Sequence, residues 1–154
     1  MKMFDERNGI NAVEILLVED NPDDEELTLL TLEENNIANS VHVVRDGEEA
    51  INFLFGLANY ADRDLSKRPK LILLDLKLPK LNGIEVLEKI KSDESTKKIP
   101  VVILTSSRQE PDIERCYQLG ANSYIVKPVD FDQFKNSIRQ IGMYWLILNE
   151  PHES

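Results

Sequence analysis

The chain has 154 residues, 42% of them hydrophobic and 30% charged, and a formal net charge of −10. That length suits one ordinary domain with a well-buried core, and the composition is too apolar for a disordered chain. The negative charge argues against a sequence-independent grip on nucleic acid and against attachment to an anionic membrane surface, both of which need clustered Lys and Arg.

A single cysteine, Cys116, rules out an intrachain disulfide and gives no sign of an oxidising compartment. The opening MKMFDERNGINAVE has no signal-peptide core, and no stretch approaches about 18 apolar residues, so a cytoplasmic location is expected.

Residues 1–12 are polar and aperiodic and read as a tail. The stretch EILLVED reads as a buried strand, Glu14 to Val18, ending in Glu19 and Asp20. Asn21, Pro22 and the acids Asp23, Asp24, Glu25 and Glu26 suit a helix start, with carboxylates at the positive end of the macrodipole. These four acids read as a solvated helix face, and no chemistry is assigned to them. Val41 to Val44 is a short strand containing His42, which reads as a strand residue rather than a ligand. GEEAINFLFG follows as a helix, with Ala50, Ile51, Phe53, Leu54 and Leu57 as its apolar positions. ANYADRDLSKRP reads as a polar loop, longer than usual between helix and strand.

Next come the strand LILLD, the helix GIEVLEKIK, the strand VVILT, a helix through DIERCYQLG with Gly120 as its C-cap, and the strand SYIV. The final helix opens on DFDQ, which has the form of a capping box from Asp130 to Gln133. Five strands alternating with five helices, with LILL and VVIL uninterrupted by polar residues, predict an α/β domain: a doubly wound, all-parallel sheet covered on both faces.

In such folds ligands sit beyond the carboxyl ends of the strands. There the sequence places Glu19 and Asp20 after strand one, Asp75 after strand three, Thr105 with Ser106 and Ser107 after strand four, and Lys127 with Pro128 after strand five. Two carboxylates about 5 Å apart repel by roughly 3 kcal/mol at an effective dielectric of about 20. A divalent cation relieves that repulsion, and carboxylates with carbonyls and no His or Cys suit a hard ion such as Mg²⁺. Thr105 can hydrogen-bond a phosphoryl oxygen and Lys127 can neutralise another, which makes Asp75 the candidate nucleophile of a phosphoryl-transfer site. Taken singly, Asp75 would be a cap, Thr105 a strand-end hydroxyl and Lys127 a surface charge. The coincidence of the strand ends carries the functional reading.

At these residues the sequence resembles the receiver domain of two-component response regulators. The resemblance runs from about Val13 to Met143 through LLVEDNPDD, LILLDLKLPKLNG, VVILTSS and GANSYIVKP. It implies a flavodoxin-like fold of strand order 2-1-3-4-5, with a receiver domain over 13–149 and a tail over 150–154. It also implies that Asp75 accepts a phosphoryl group from a phosphohistidine of a sensor histidine kinase. Mg²⁺ would be held by Asp20, Asp75, the Lys77 carbonyl and, through water, Glu19; Thr105 and Lys127 would contact phosphoryl oxygens; Tyr124 would swing inward with Thr105 on activation. The Lys127–Pro128 bond would be cis. Lys77 and Ser107 stand where family members vary and where the acyl-phosphate lifetime is influenced. The loop before LILLD and the ending YWLILNEP look like the small regulators that act with bacterial phytochrome kinases.

Receivers often carry an effector domain after the fifth helix, and here the chain ends at Ser154, so the expected output is a changed surface or oligomer. Phe131, Phe134, Ile138, Ile141, Trp145 and Leu148 form an apolar stripe, and Met143, Tyr144, Leu146 and Ile147 make its end apolar nearly all round. A homodimer contact through this last helix is expected. Three functions compete: a phosphorylatable stand-alone regulator, a non-phosphorylated pseudo-receiver that binds partners, and a Mg²⁺-dependent aspartyl phosphatase of the haloacid dehalogenase type. The last needs a second carboxylate two residues after the nucleophile, where this chain has Lys77. The expected protein is therefore a signalling module rather than an enzyme. Only His42 and His152 are present and no GxSxG occurs, so a hydrolase triad has no support. Cys116 has no zinc-site spacing around it and is expected to be packed inside.

Overall fold

A computed structural model describes residues 15–34, 40–106 and 110–141. Among them, strands and α-helices alternate as β1 Ile15–Val18, α1 Pro22–Glu34, β2 Val41–Val44, α2 Gly47–Phe55, β3 Leu71–Leu74, α3 Gly83–Ser92, β4 Val101–Thr105, α4 Glu110–Gln118, β5 Ser123–Val126 and α5 Phe131–Ile141. The strands form one parallel sheet in the order β2-β1-β3-β4-β5, the doubly wound arrangement expected. Among the described residues, no helix is long and apolar enough to cross a membrane. Glu14, Ser107, the apolar residues 143–148, His152 and both tails lie outside the described residues, as do the readings made for them.

Every residue of β1, β3 and β4 is buried, because helices cover both faces of the sheet. Alternation along the strands divides the core in two. Ile15, Leu17, Leu71, Leu73, Val102 and Leu104 pack with Leu32 of α1 and with Phe134 and Ile138 of α5. Leu16, Val18, Ile72, Leu74, Val101 and Ile103 pack with residues of α2, α3 and α4, Cys116 among them. Each such aliphatic side chain contributes about 1.5–3 kcal/mol on burial.

The helix starts follow local chemistry. Asn21 Oδ1 accepts the Asp23 and Asp24 backbone N–H groups at 2.8 and 3.0 Å ahead of Pro22. Asn82 and Glu85 close a capping box at α3. Asp130 accepts the Asp132 and Gln133 N–H groups, the Asp130 half of the box read from DFDQ. Gly120, at φ +106°, ends α4 with the paired bonds of a Schellman turn, its N–H on the Tyr117 carbonyl and that of Ala121 on Cys116.

Two readings need correction near α2. Leu57 is not one of its buried apolar positions: Gly56, at φ +68°, ends the helix in the left-handed conformation and turns the chain, leaving Leu57 49% exposed. The segment read as a plain polar loop begins with a 3₁₀ helix, Ala58–Tyr60, and docks on α2. Arg63 donates to the Phe53 carbonyl and Arg68 to that of Leu54, so two cations meet the negative end of a helix that has no basic residue in its last turn.

Candidate functional site

The register brings the carboxyl ends of the strands level, with Val18 opposite Leu74 and Val44, and Thr105 opposite Val126. The ladder continues one residue further: Glu19 N–H donates to Val44, Asp75 N–H to Val18 and Lys127 N–H to Thr105, at 3.0, 3.1 and 2.8 Å. Glu19, Asp75 and Lys127 thus continue the alternation of Leu17, Leu73 and Ile125 and emerge on the α1/α5 side of the sheet. Beyond Asp75 the chain turns against the start of α3. A Cβ on Gly83 would lie 2.3 Å from the Asp75 carbonyl oxygen, so only glycine allows that approach. Its N–H closes the turn on the Leu76 carbonyl at 2.8 Å.

Lys127 Nζ sits among three carboxylates, 2.6 Å from Glu19 Oε1, 2.9 Å from Asp24 Oδ2 and 3.0 Å from Asp75 Oδ2. Glu19 and Asp75 are buried, and the Lys127 side chain is only 10% exposed. Burial pulls the ammonium towards the neutral form, but the hydrogen bonds it donates to Glu19, Asp24 and Asp75, with the Asp75 charge, outweigh it and hold Lys127 above the ordinary lysine range. Burial likewise pushes the Glu19 carboxyl up to about 7, with Lys127 opposing and the Asp75 charge reinforcing. Glu19 Oε2 also accepts the Asn21 N–H at 3.2 Å, and Asp75 Oδ1 the Lys77 N–H at 3.2 Å.

Carboxylate oxygens of Glu19, Asp20 and Asp75 lie within 4.8 Å of one another. An all-oxygen, all-anionic donor set of this size fits a hard divalent cation. A cleft of about 520 Å³, lined by Asp20, Leu76, Lys77, Leu78, Pro79, Asn82, Ile84 and Asp112, adjoins it.

The sequence-predicted residues divide as follows. Glu19, Asp20, Asp75 and Lys127 meet in one crevice. Thr105 is fully buried at the last position of β4, and its carbonyl fixes the Lys127 backbone. Tyr124 faces the α2/α3/α4 side, half-buried against that core and opposite Ile103. Ser106 is exposed. The Lys127–Pro128 bond is cis, as the resemblance implies. Asp24 is the correction: read as part of a solvated face, it bonds the central lysine because α1 covers the face on which Lys127 emerges. The parity of the strand ends directs Lys127 to the face that α1 covers, but it does not say which acid of α1 meets it. His42 is a strand residue of β2, and Cys116 is buried, its thiol pushed up to about 11 chiefly by burial.

Comparison with known proteins agrees with this geometry. The model of the response regulator receiver domain matches residues 15–139. The chain is 40% identical over 132 residues to the probable methanogenesis regulatory protein FilR2 of Methanothrix harundinacea, covering 86% of this chain and 83% of that protein. It is 40% identical over 144 residues to the response regulator Rcp1 of Synechocystis sp., covering 94% and 95%. Among solved structures, the bacteriophytochrome response regulator RtBRR superposes with a TM-score of 0.80 at 48% identity, covering 91% of this chain and 84% of that one. The Mn²⁺-bound form of Rcp1 superposes at 0.73 and 38%, covering 92% and 99%. With its parallel sheet, its acidic strand ends and their shared lysine, the chain belongs to the response regulator receiver family.

Proposed function

We propose that this protein is a response regulator that accepts a phosphoryl group on Asp75 from the phosphohistidine of a sensor histidine kinase, a phytochrome, in a Mg²⁺-dependent reaction. The observation that carries the reading is the Lys127 ammonium bridging two buried carboxylates, Glu19 and Asp75, where β1, β3 and β5 end. An Asp75 oxygen attacks phosphorus, the P–N bond to the donor imidazole breaks, and the bonding pair leaves with the imidazole. Lys127 neutralises one phosphoryl oxygen and the Thr105 hydroxyl donates to another. Glu19, Asp20, Asp75 and the Lys77 carbonyl would hold Mg²⁺, which when bound supplies positive charge against the transferring group. Tyr124 follows Thr105 inward, since both side chains lie on the same side of the sheet.

The kinase class is inferred from the bacteriophytochrome response regulator RtBRR, whose similarity spans most of the chain. The metal is inferred from the donor set and from the Mn²⁺-bound form of Rcp1. Signalling would pass through a changed surface, with a homodimer formed through the last helix and its apolar extension. Sedimentation of Trp145→Glu tests that contact: loss of a wild-type dimer is expected, and an unchanged dimer rejects it.

Intact-mass measurement after incubation with acetyl phosphate and Mg²⁺ tests the central reading. A single phosphoryl adduct is expected in the wild type and none in Asp75→Asn. An equal adduct in both would reject Asp75 as acceptor, and no adduct in either would favour the pseudo-receiver.

A further inference from the structure

The three hydrogens of an ammonium can serve three acceptors, and those of Lys127 are taken by Glu19, Asp24 and Asp75. A phosphoryl group on Asp75 adds oxygens that also need Lys127, so one existing bond must be given up. The three carboxylates differ in what release costs. Glu19 is 1% exposed and Asp75 8%, whereas Asp24, on the first turn of α1, is 35% exposed and exchanges the ammonium for water most cheaply. Asp24 also lines a small cleft with Leu27, Thr28, Lys127, Pro128 and Val129, so its carboxylate stands between solvent and the lysine.

We propose that Asp24 is a positioning residue that restrains the Lys127 ammonium in the unphosphorylated protein, so that its ion pair must open before Lys127 can serve an incoming phosphoryl group. This rests on the reading of Asp75 as the phosphoacceptor. Asp24 acts through Lys127 and touches no reacting atom; its effect is on the rate of phosphoryl acceptance.

The test uses the full chain with acetyl phosphate and Mg²⁺, comparing wild type, Asp24→Asn, Asp24→Glu, Asp23→Asn and Asp75→Asn. Asp24→Asn should accept phosphoryl about two- to fivefold faster, the range set by a partly exposed ion pair. Asp24→Glu should return towards the wild-type rate. Asp23→Asn removes the same charge from an exposed neighbour and should change little, which separates the pair from the general field. Labelling of Lys127 by limiting acetic anhydride, read by peptide mass against the other lysines, should rise in Asp24→Asn by a similar factor without any phosphoryl chemistry.

An unchanged Asp24→Asn rate, or equal acceleration by Asp23→Asn, overturns the inference while leaving Asp75 as acceptor. If the wild type takes no phosphoryl group, the functional reading fails. The labelling then decides on its own, because unchanged Lys127 reactivity in Asp24→Asn overturns the restraint.

Discussion

At the ends of β1, β3 and β5 the protein buries polar groups as opposed charges, whereas beside α2 it half-buries an imidazole and a phenol in a chain of hydrogen bonds that ends on one carboxylate. In the crevice, four carboxylates gather about one ammonium, with Lys127 bonded to Glu19, Asp24 and Asp75 and with Asp20 adjoining. On the α2 flank, His42 stacks on Phe53 at 4.5 Å between centroids, and Tyr60 stands edge-on to both rings. The Tyr60 hydroxyl donates to Glu49 Oε2 at 2.9 Å and lies 3.1 Å from His42 Nε2. Burial foremost, with Glu49 reinforcing, pushes that hydroxyl up to about 12, so it keeps its proton. His42 Nε2 is therefore assigned as the donor to Tyr60. His42, Tyr60 and Glu49 supply one another, while Arg63 Nη2 beside them is buried without a hydrogen-bond partner among the described residues. The crevice holds more negative charge than Lys127 can neutralise, which makes it the part of the molecule suited to a cation and to the phosphoryl group of the proposed function.

Three perturbations sharpen this contrast. The largest is Phe53→Ala. It removes the ring under His42 and beneath the Arg63 guanidinium, which lies 3.8 Å from the ring centroid, and it should cost about 3–5 kcal/mol in urea unfolding. Mg²⁺ should not restore that loss.

Next is Lys127→Met, which leaves the crevice carboxylates without their cation. A fully buried broken pair costs about 3–5 kcal/mol. Here a loss of about 2 kcal/mol is expected, because water and protonation of Glu19, already pushed up to about 7, relieve part of the repulsion. In this variant, unlike Phe53→Ala, millimolar Mg²⁺ should return most of the loss. Equal Mg²⁺ responses in the two variants would erase the distinction between the regions.

The smallest effect is on pH dependence. Burial foremost holds His42 below its ordinary value of 6.5, with Glu49 opposing and Arg63 and Arg45 reinforcing. Unfolded His42 takes up a proton near 6.5, while the folded ring resists until lower pH. Below about 6.5 the unfolded state therefore binds more protons, and stability falls with pH until the folded ring also titrates. Above about 6.5 this group contributes no slope. Chemical unfolding of wild type and His42→Phe between pH 7 and 5 should show a shallower acid decline in the variant. An unchanged slope would remove His42 from the account.

The fold was legible because β3 and β4 are written as unbroken aliphatic runs, a pattern that only a sheet covered on both faces requires. Glu19, Asp75 and Lys127 were legible as a set because each immediately follows its strand. Asp24 was not, since its partner lies 103 residues away and the contact depends on how α1 is rotated over the sheet. His42, Glu49 and Tyr60 come together only when the segment after α2 folds back, and no local period announces that. Leu57 misled for a simpler reason: an apolar residue just past Gly56 continues the helical pattern in sequence after the backbone has left the helix.

Among all these carboxylates, Asp75 is the proposed covalent acceptor. Reduction of the acetyl phosphate-treated protein with sodium borohydride converts an aspartyl phosphate to homoserine and so marks the residue that carried it. Peptide sequencing by mass spectrometry should find homoserine at position 75, dependent on Mg²⁺. Homoserine at position 20 or 24 instead, or at none of the three in protein that bears the adduct, would contradict the account.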